Sequence, residues 1–409
     1  MKVRNKLVSI FVTTTVVFSS MSVFSQLSKS ELASQYNVIK HAVPFLVIAP
    51  DSRAGAMGEQ GVATEPDDWS MHWNPSKYSF AKKDFGAGFS YTPWLHNLGV
   101  KDVFQFYAAG YAKIDKFQTI AASFQYFNLG NVYFTNQDGD LTGVTWSPRE
   151  FAVDAAYSRL LTKKFSFSIA LRYIYSNLTG GVSSTPGESA HAAQTFASDI
   201  SGYYQNRKTL AGLQSDLRFG FNISNLGGKM SYSTSGQKDF LPAMLRIGGG
   251  STFKLDEFND LGVNIEASKL LVQSPRYKYT DPNTGLYAYQ GGENPDASLV
   301  QSVVNSFSDA PGGSKEEWHE VMWSAGLEYW YVKQFALRAG YFYENKTKGN
   351  RQFYTVGLGL KMSVIGIDAA YIIPTAGSNS PIANTWRIAL SFDFDKTRPQ
   401  SQPQVPQSK

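Results

Sequence analysis

Few residues in this chain could perform covalent or metal chemistry. It has five histidines, His41, His72, His96, His191 and His319, and no cysteine. No pair of histidines has a metal-type spacing such as His-Glu-x-x-His, and no Gly-x-Ser-x-Gly elbow would raise a serine nucleophile. Without cysteine there is no disulfide framework and no thiolate metal site. His319, beside a strand expected to start near Glu320, is the one place to look for a Ser/His pair acting on lipid. A lone loop histidine is more often solvated or packed. Gly248-Gly249-Gly250 and Gly357-x-Gly359 fall inside strand-like sequence and read as kinks or close-packing sites, not phosphate loops. Asp154 and Glu344 share polar faces with Arg172 and Arg338, which reads as ion pairing. The expectation is no catalytic residue, no metal, no cofactor and no enzyme activity.

The elements that would carry these residues are strands. In 165–176 the odd positions are Phe165, Phe167, Ile169, Leu171, Tyr173 and Tyr175, and the even ones include Ser166, Ser168 and Arg172. Residues 386–394 alternate Trp386, Ile388, Leu390, Phe392 and Phe394 with Arg387, Ala389, Ser391 and Asp393. The runs 151–158 and 335–344 repeat the pattern. Side chains alternate across a strand, so period two makes one apolar and one polar face. These runs reach about 10–14 residues, against about 5–6 in soluble strands. A tilted strand crossing a bilayer needs about 9–11.

About fourteen strands are expected, near 84–93, 102–114, 116–128, 148–160, 164–178, 209–222, 229–235, 241–254, 261–273, 320–332, 334–345, 351–362, 364–374 and 384–395. Short connections alternate with long ones, the longest being 179–208 and 274–319. An even strand number with short periplasmic turns and longer external loops is the pattern of outer-membrane barrels. It places both termini in the periplasm. Trp94, Trp146, Trp323, Trp330 and Trp386 sit near strand ends, as an interfacial girdle would. The fold class is all-β: a transmembrane antiparallel barrel of about fourteen strands with an N-terminal periplasmic hatch.

Targeting and composition agree. Lys2, Arg4 and Lys6 precede an apolar run, and Val23-Phe24-Ser25 before Gln26 fits a signal-peptide cleavage site. The chain has 28 Phe, 23 Tyr and 35 Gly but only 17% charged residues. Its net charge of +5 is scattered, so no nucleic-acid partner is expected. The domain reading is 1–25 signal peptide, 26–82 hatch, 83–395 barrel and 396–409 disordered periplasmic tail. The hatch segment is broken by Gly55, Gly58, Gly61, Pro66 and Pro75 yet rich in apolar residues, so Trp73 and Pro75 should be buried in the periplasmic mouth.

Within that segment, Pro50-Asp51-Ser52-Arg53-Ala54-Gly55-Ala56-Met57-Gly58-Glu59 is followed by Trp73-Asn74-Pro75-Ser76-Lys77-Tyr78. This closely resembles the N-terminal signature of the PorV (LptO) family, the outer-membrane component of the type IX secretion system. The motif positions are Pro50, Asp51, Arg53, Gly55, Met57, Gly58, Trp73, Asn74 and Pro75. The Asn-Pro-Ser step is similar to the Asn-Pro-Ala of the wider FadL-like barrels, which have fourteen strands and an N-terminal hatch. One departure is the end of the chain. Phe394 is followed by the polar tail DKTRPQSQPQVPQSK, where outer-membrane barrels often end on an aromatic residue.

The resemblance implies an outer-membrane carrier. Its partners would be the C-terminal signal domains of secreted cargo, a SprA/Sov-like translocon, the sortase PorU with its attachment complex, and lipid or lipopolysaccharide. The long loops are rich in Ser, Gly, Asn and Tyr, a composition suited to adaptable protein recognition. Tyr203, Tyr204, Tyr277, Tyr279, Tyr287 and Tyr289 are the candidate contacts. The alternatives are a FadL-type channel for hydrophobic small molecules and a lipid-modifying barrel enzyme.

Overall fold

Side chains that are apolar on every second position can face lipid on one side only if the other side is closed off, and the runs above do this by pairing into a cylinder. A computed structural model of the chain describes residues 36–96, 99–135, 138–181, 189–233, 236, 238–280, 287–290, 292, 294, 296–375 and 385–395. The expected signal peptide and C-terminal tail lie outside the described residues. The strands are β1 (Phe85–Pro93), β2 (Val103–Lys113), β3 (Gln118–Leu129), β4 (Val132–Thr135), β5 (Leu141–Trp146), β6 (Arg149–Thr162), β7 (Phe165–Asn177), β8 (Ala193–Leu210) and β9 (Leu213–Gly227). They continue with β10 (Met244–Lys254), β11 (Asn259–Leu270), β12 (Tyr277–Thr280), β13 (Tyr287–Gln290), β14 (Val321–Tyr331), β15 (Phe335–Tyr343), β16 (Gln352–Met362), β17 (Ile365–Pro374) and β18 (Trp386–Phe394). β4 with β5, and β12 with β13, form separate hairpins, and the other fourteen close one antiparallel barrel. The seam joins β1 to β18, with Phe85 opposite Phe394 and their rings stacked at 5.4 Å.

The alternation is realised as expected. On β7 Ile169 and Leu171 are exposed on the outer face and Phe165 and Phe167 are half-buried, while Ser166, Ser168, Ala170 and Arg172 are buried inward; on β18 Leu390 is exposed and Phe392 half-buried. Trp330 departs from the expected girdle: it shares the inward face with Glu328, and the Arg338 guanidinium lies 5.4 Å over its ring.

Two strand expectations fail together. Residues 179–208, expected as a loop, contain most of the 18-residue strand β8. Of residues 229–235, expected as a strand, the described ones, 229–233, make only isolated bridges, Ala190 to Ser233 and Met230 to Asp239. β8 lacks a clean apolar period, because its outward row carries Gln194, Ser198 and Gly202 between Phe196, Ile200 and Tyr204, and its ladder shifts register between Ser198 and Ile200. In 229–235 the apolar residues are used differently. Met230 packs with Phe45 and Leu46 of the N-terminal segment rather than facing lipid.

With β8 in place the connections alternate without exception. Turns of two to four residues at 114–117, 163–164, 211–212, 255–258, 332–334 and 363–364 face one rim, and the longer connections face the other. Ala211 (φ 50°) and Gly212 (φ 77°) both have positive φ, as the tightest hairpin turns require.

Residues 36–81 thread the barrel from one rim to the other. At the loop rim Asn37 N–H donates to Thr347 O (3.0 Å) and Ala42 N–H to Phe240 O (2.9 Å). At the turn rim Asp84 N–H donates to Phe394 O (3.1 Å), where β1 begins. The expected placement of both termini concerns residues outside the described ones, but the segment is not confined to one mouth, and residues 36 and 395 lie at opposite rims. The cause is the run Phe45-Leu46-Val47-Ile48. It needs apolar neighbours and finds Val103, Phe127, Ile174, Met230 and Leu241 near the loop rim.

Candidate functional site

The signature residues both fold the N-terminal segment and attach it to the barrel wall. Asp51 precedes the short helix Ser52–Gly55 and accepts from Ala54 N–H at 2.8 Å. Its other oxygen accepts from Trp73 Nε1 at 2.7 Å, joining that helix to Ser70–Trp73. Burial, with Asp67 nearby, pushes the Asp51 carboxyl up to about 6. Arg53 grips both oxygens of Glu328 on β14 (2.9 and 2.7 Å) and reaches Asp67 at 2.7 Å. Glu328 is shared with its cross-strand neighbour Arg338 (2.8 Å), which reaches Asp368 at 2.5 Å. Alternating charges thus run from the segment across three wall strands.

Asn74 holds the next turn. It is extended, as a residue before proline tends to be, and its amide donates to Val62 O (2.8 Å) and to Gly202 O of β8 (3.0 Å). Its oxygen accepts from Ser76 N–H (3.1 Å), and Pro75 opens the 3-10 helix Pro75–Phe80. Lys77 is fully buried, donating to Gly61 O (3.0 Å) and Thr64 Oγ1 (2.9 Å), and burial pushes its ammonium down to about 8. Trp73 and Pro75 are buried, as expected. Gly58 adopts φ +75° and passes so close to β15 that a Cβ on Gly340 would sit 2.2 Å from its nitrogen. Pro50 and Met57 are buried as well.

The rest of the wall is charged and paired. Arg172 meets Asp154 (2.5 Å) and Asp199 (3.2 Å), Arg387 meets Glu59 (2.6 Å), and Arg218 meets Glu65 (3.1 Å). Glu266 accepts from the N–H groups of Gly61 and Val62, each at 2.9 Å. The expected ion pairs are thus half right. Arg172 pairs with Asp154, but Glu344 pairs with Arg351 at the loop rim (2.9 Å), not with Arg338. Gly248 and Gly357 are close-packing sites, since a Cβ there would lie 2.7 Å from Val62 and 2.4 Å from Ala56.

At the turn rim two carboxyls crowd over Gly86, where a Cβ would be 2.0 Å from Asp68 Oδ1 and 3.0 Å from Asp393 Oδ1. Burial, then the charges of Asp393 and Asp67, hold the Asp68 carboxyl up at about 9 against 3.8 normally, with Lys361 opposing. Between those values the folded chain keeps a proton that the unfolded chain releases. Stability from this group is therefore present below 3.8 and lost as pH rises through the folded value, by at most about 1.4 kcal/mol per pH unit. Asp68→Asn should flatten that slope, read as the denaturant midpoint of the detergent-solubilised barrel against pH. An unchanged slope would mean that Asp68 is already ionised in the fold.

The candidate tyrosines separate into two sets. Tyr203 and Tyr204 are not loop residues but lie on β8. Tyr203 is 0% exposed, donates its hydroxyl to Thr64 O (3.1 Å) and meets Phe80 edge-on. Tyr204 lies beside Phe219, with ring centroids 6.4 Å apart. Tyr277, Tyr279, Tyr287 and Tyr289 lie in the β12–β13 hairpin, with Tyr277 opposite Gln290 and Tyr289 opposite Lys278. The same connection carries helices Leu299–Asn305 and Ser314–His319. They and the turn between them expose Val300 (70%), Val304, Phe307 and Trp318 (69%). These residues were not singled out from sequence, although Ser298-x-x-Gln301 before an apolar run is a capping box.

The histidines stay on separate elements. His72 is buried against Trp73 and Tyr107 (4.8 and 6.2 Å), and burial holds its ring neutral. His319 ends the second loop helix. Among the described residues no three His, Cys, Asp or Glu side chains converge as a metal site would need.

A family model described as the type IX secretion system protein PorV matches residues 31–277, which include the whole threaded segment and β1 to β11. The chain belongs to the PorV family. Solved structures of similar shape include the Pseudomonas putida toluene transporter TodX (TM-score 0.48, 13% identity, 85% of this chain and 99% of that one). Others are the Ralstonia pickettii toluene transporter TbuX (0.48, 11%, 86% and 99%) and a Pseudomonas aeruginosa FadL homologue (0.45, 11%, 88% and 100%). No curated protein matches the chain. As a PorV-family protein it is an outer-membrane barrel associated with type IX secretion.

Proposed function

We propose that this PorV-family barrel is a carrier that binds the C-terminal signal domains of secreted cargo on its loop face. It would receive them at the SprA/Sov-like translocon and deliver them to the PorU sortase and its attachment complex. On this reading the long loops are extracellular and residue 395 is periplasmic. Residues 1–25 are removed on export, 26–82 form the hatch, and 396–409 form a periplasmic tail. The observation that supports it best is a contrast between lumen and loops. The lumen is threaded by 36–81 and tied by buried ion pairs, whereas connection 271–320 exposes Val300, Val304, Phe307 and Trp318 to solvent. A few apolar and aromatic anchors amid polar surroundings suit a reversible protein contact. A channel for hydrophobic small molecules would need a continuous apolar path, and the wall carries Arg172, Arg218, Arg246, Arg338 and Arg387 instead.

The test is a deletion of the β12–β13 hairpin combined with Val300→Ser, Val304→Ser and Trp318→Ser. Glu316, Glu317 and Glu320 are kept because they hold the loop to Lys269 and Lys348. The barrel should still fold in the membrane. Cargo recovered with it should fall at least about tenfold, the loss expected from about 1.4 kcal/mol or more of contact energy, and secreted proteins should accumulate unprocessed. Full cargo binding by this variant, with secretion abolished by Arg172→Met, would instead favour a transport path through the lumen.

A further inference from the structure

Residues 36–42 have a second set of contacts that anchoring the hatch does not require. Asn37 donates its amide to Pro275 O (3.1 Å) and to Glu316 Oε1 (3.2 Å), both in connection 271–320. Its backbone N–H goes to Thr347 in connection 344–351. Ile39 packs with Phe240, Val272 and Ala297, so one side chain joins connections 228–243 and 271–320. Ala42 completes the set through Phe240 O. Glu316 also holds Lys348 at 2.5 Å, and Lys348 reaches Glu320 at 2.9 Å. Three connections that are far apart in sequence therefore converge on residues 37–42.

We infer that residues 36–42 are a strap on the loop face: the N-terminal end of the hatch is displayed beside connection 271–320 and pins it to the barrel. The clamp adds to the ion pairs that Glu316, Glu317 and Glu320 make with Lys269 and Lys348, and it would further order a connection that exposes Val300, Val304, Phe307 and Trp318. The strap also makes the hatch and that loop one mechanical unit, since the same chain runs on from Asn37 to the Arg53–Glu328 lock. That the strap is outside the cell rests on the orientation proposed above; that it shares a face with the loop does not.

The absence of cysteine from the sequence makes the test clean. Tyr36, 73% exposed, is replaced by cysteine, as are Trp318 on the loop face and Lys116 in a turn at the opposite rim. Intact cells are treated with a membrane-impermeant maleimide. Y36C and W318C should label alike, and K116C only after the outer membrane is permeabilised. Labelling of W318C without Y36C overturns the strap. Labelling of K116C alone overturns the orientation, and the pairing of Y36C with W318C in permeabilised cells then still decides the strap. The clamp itself is read by trypsin, which can cut the connection at Arg276, Lys278 and Lys315. Ile39→Asp should speed cleavage there at least about tenfold relative to Val38→Ser, with the barrel still folded by its heat-dependent shift in gel mobility. Equal cleavage of the two variants would show that the strap does not hold the loop.

Discussion

Replacing Glu328 by alanine is expected to cost this barrel about 3–5 kcal/mol, read as a fall in its denaturant midpoint in detergent. The size follows from what is left behind. Glu328 neutralises two guanidinium groups at once, Arg53 at 2.7 Å and Arg338 at 2.8 Å, and all three side chains are nearly inaccessible to solvent. Removing the carboxylate strands positive charge where water cannot reach it, and that penalty exceeds the net worth of the intact pairs. Arg53 keeps Asp67 and Arg338 keeps Asp368, so the loss is partial rather than complete. The triple variant Arg53→Met, Glu328→Met, Arg338→Met should recover much of the stability, since apolar packing can replace a buried ion network. A loss below about 1 kcal/mol for Glu328→Ala, the scale of a solvated surface pair, would mean that water enters the lumen and screens the lock.

Ile169→Arg should impair assembly by about 2–4 kcal/mol if the residue sits at the bilayer midplane. Ile169 is 52% exposed on the outer face of β7, between Tyr157 of β6 and Ile200 of β8. An arginine there must be desolvated by lipid or drag water inward. Its neighbour Ser168 points the other way, donating to Tyr157 O at 2.9 Å. Ser168→Ala should lose about one ordinary hydrogen bond, on the order of 1 kcal/mol. Refolding into lipid vesicles, scored by gel mobility, separates the two. Equal tolerance at both positions would contradict a lipid-facing outer row.

The strap and the lock both bear on the carrier role proposed above. The threaded segment is tied to the wall through Arg53, Glu59 and Glu65, so opening the lumen would separate several ion pairs together. On the proposed reading recognition is left to the loop rim, where Val300, Val304, Phe307 and Trp318 are exposed.

Much of this was legible in the chain and some was not. The runs 165–176 and 386–394 showed which residues meet lipid, and Gly58, Trp73, Asn74 and Pro75 marked the segment that meets the wall. The sequence did not show that Arg338 would choose Glu328 and Asp368 over Glu344. It did not show that β8 lay in an apparent loop with Tyr203 turned inward, or that residues 36–42 would reach the rim opposite residue 395. Contact with lipid is a local property: each side chain meets the same solvent, so the requirement repeats every second residue and shows as a period. Contact within the lumen is set by closure, which brings together residues as distant as Arg53 and Glu328. No local repeat encodes that choice of partner, so it was decided only when β1 met β18 around the threaded chain.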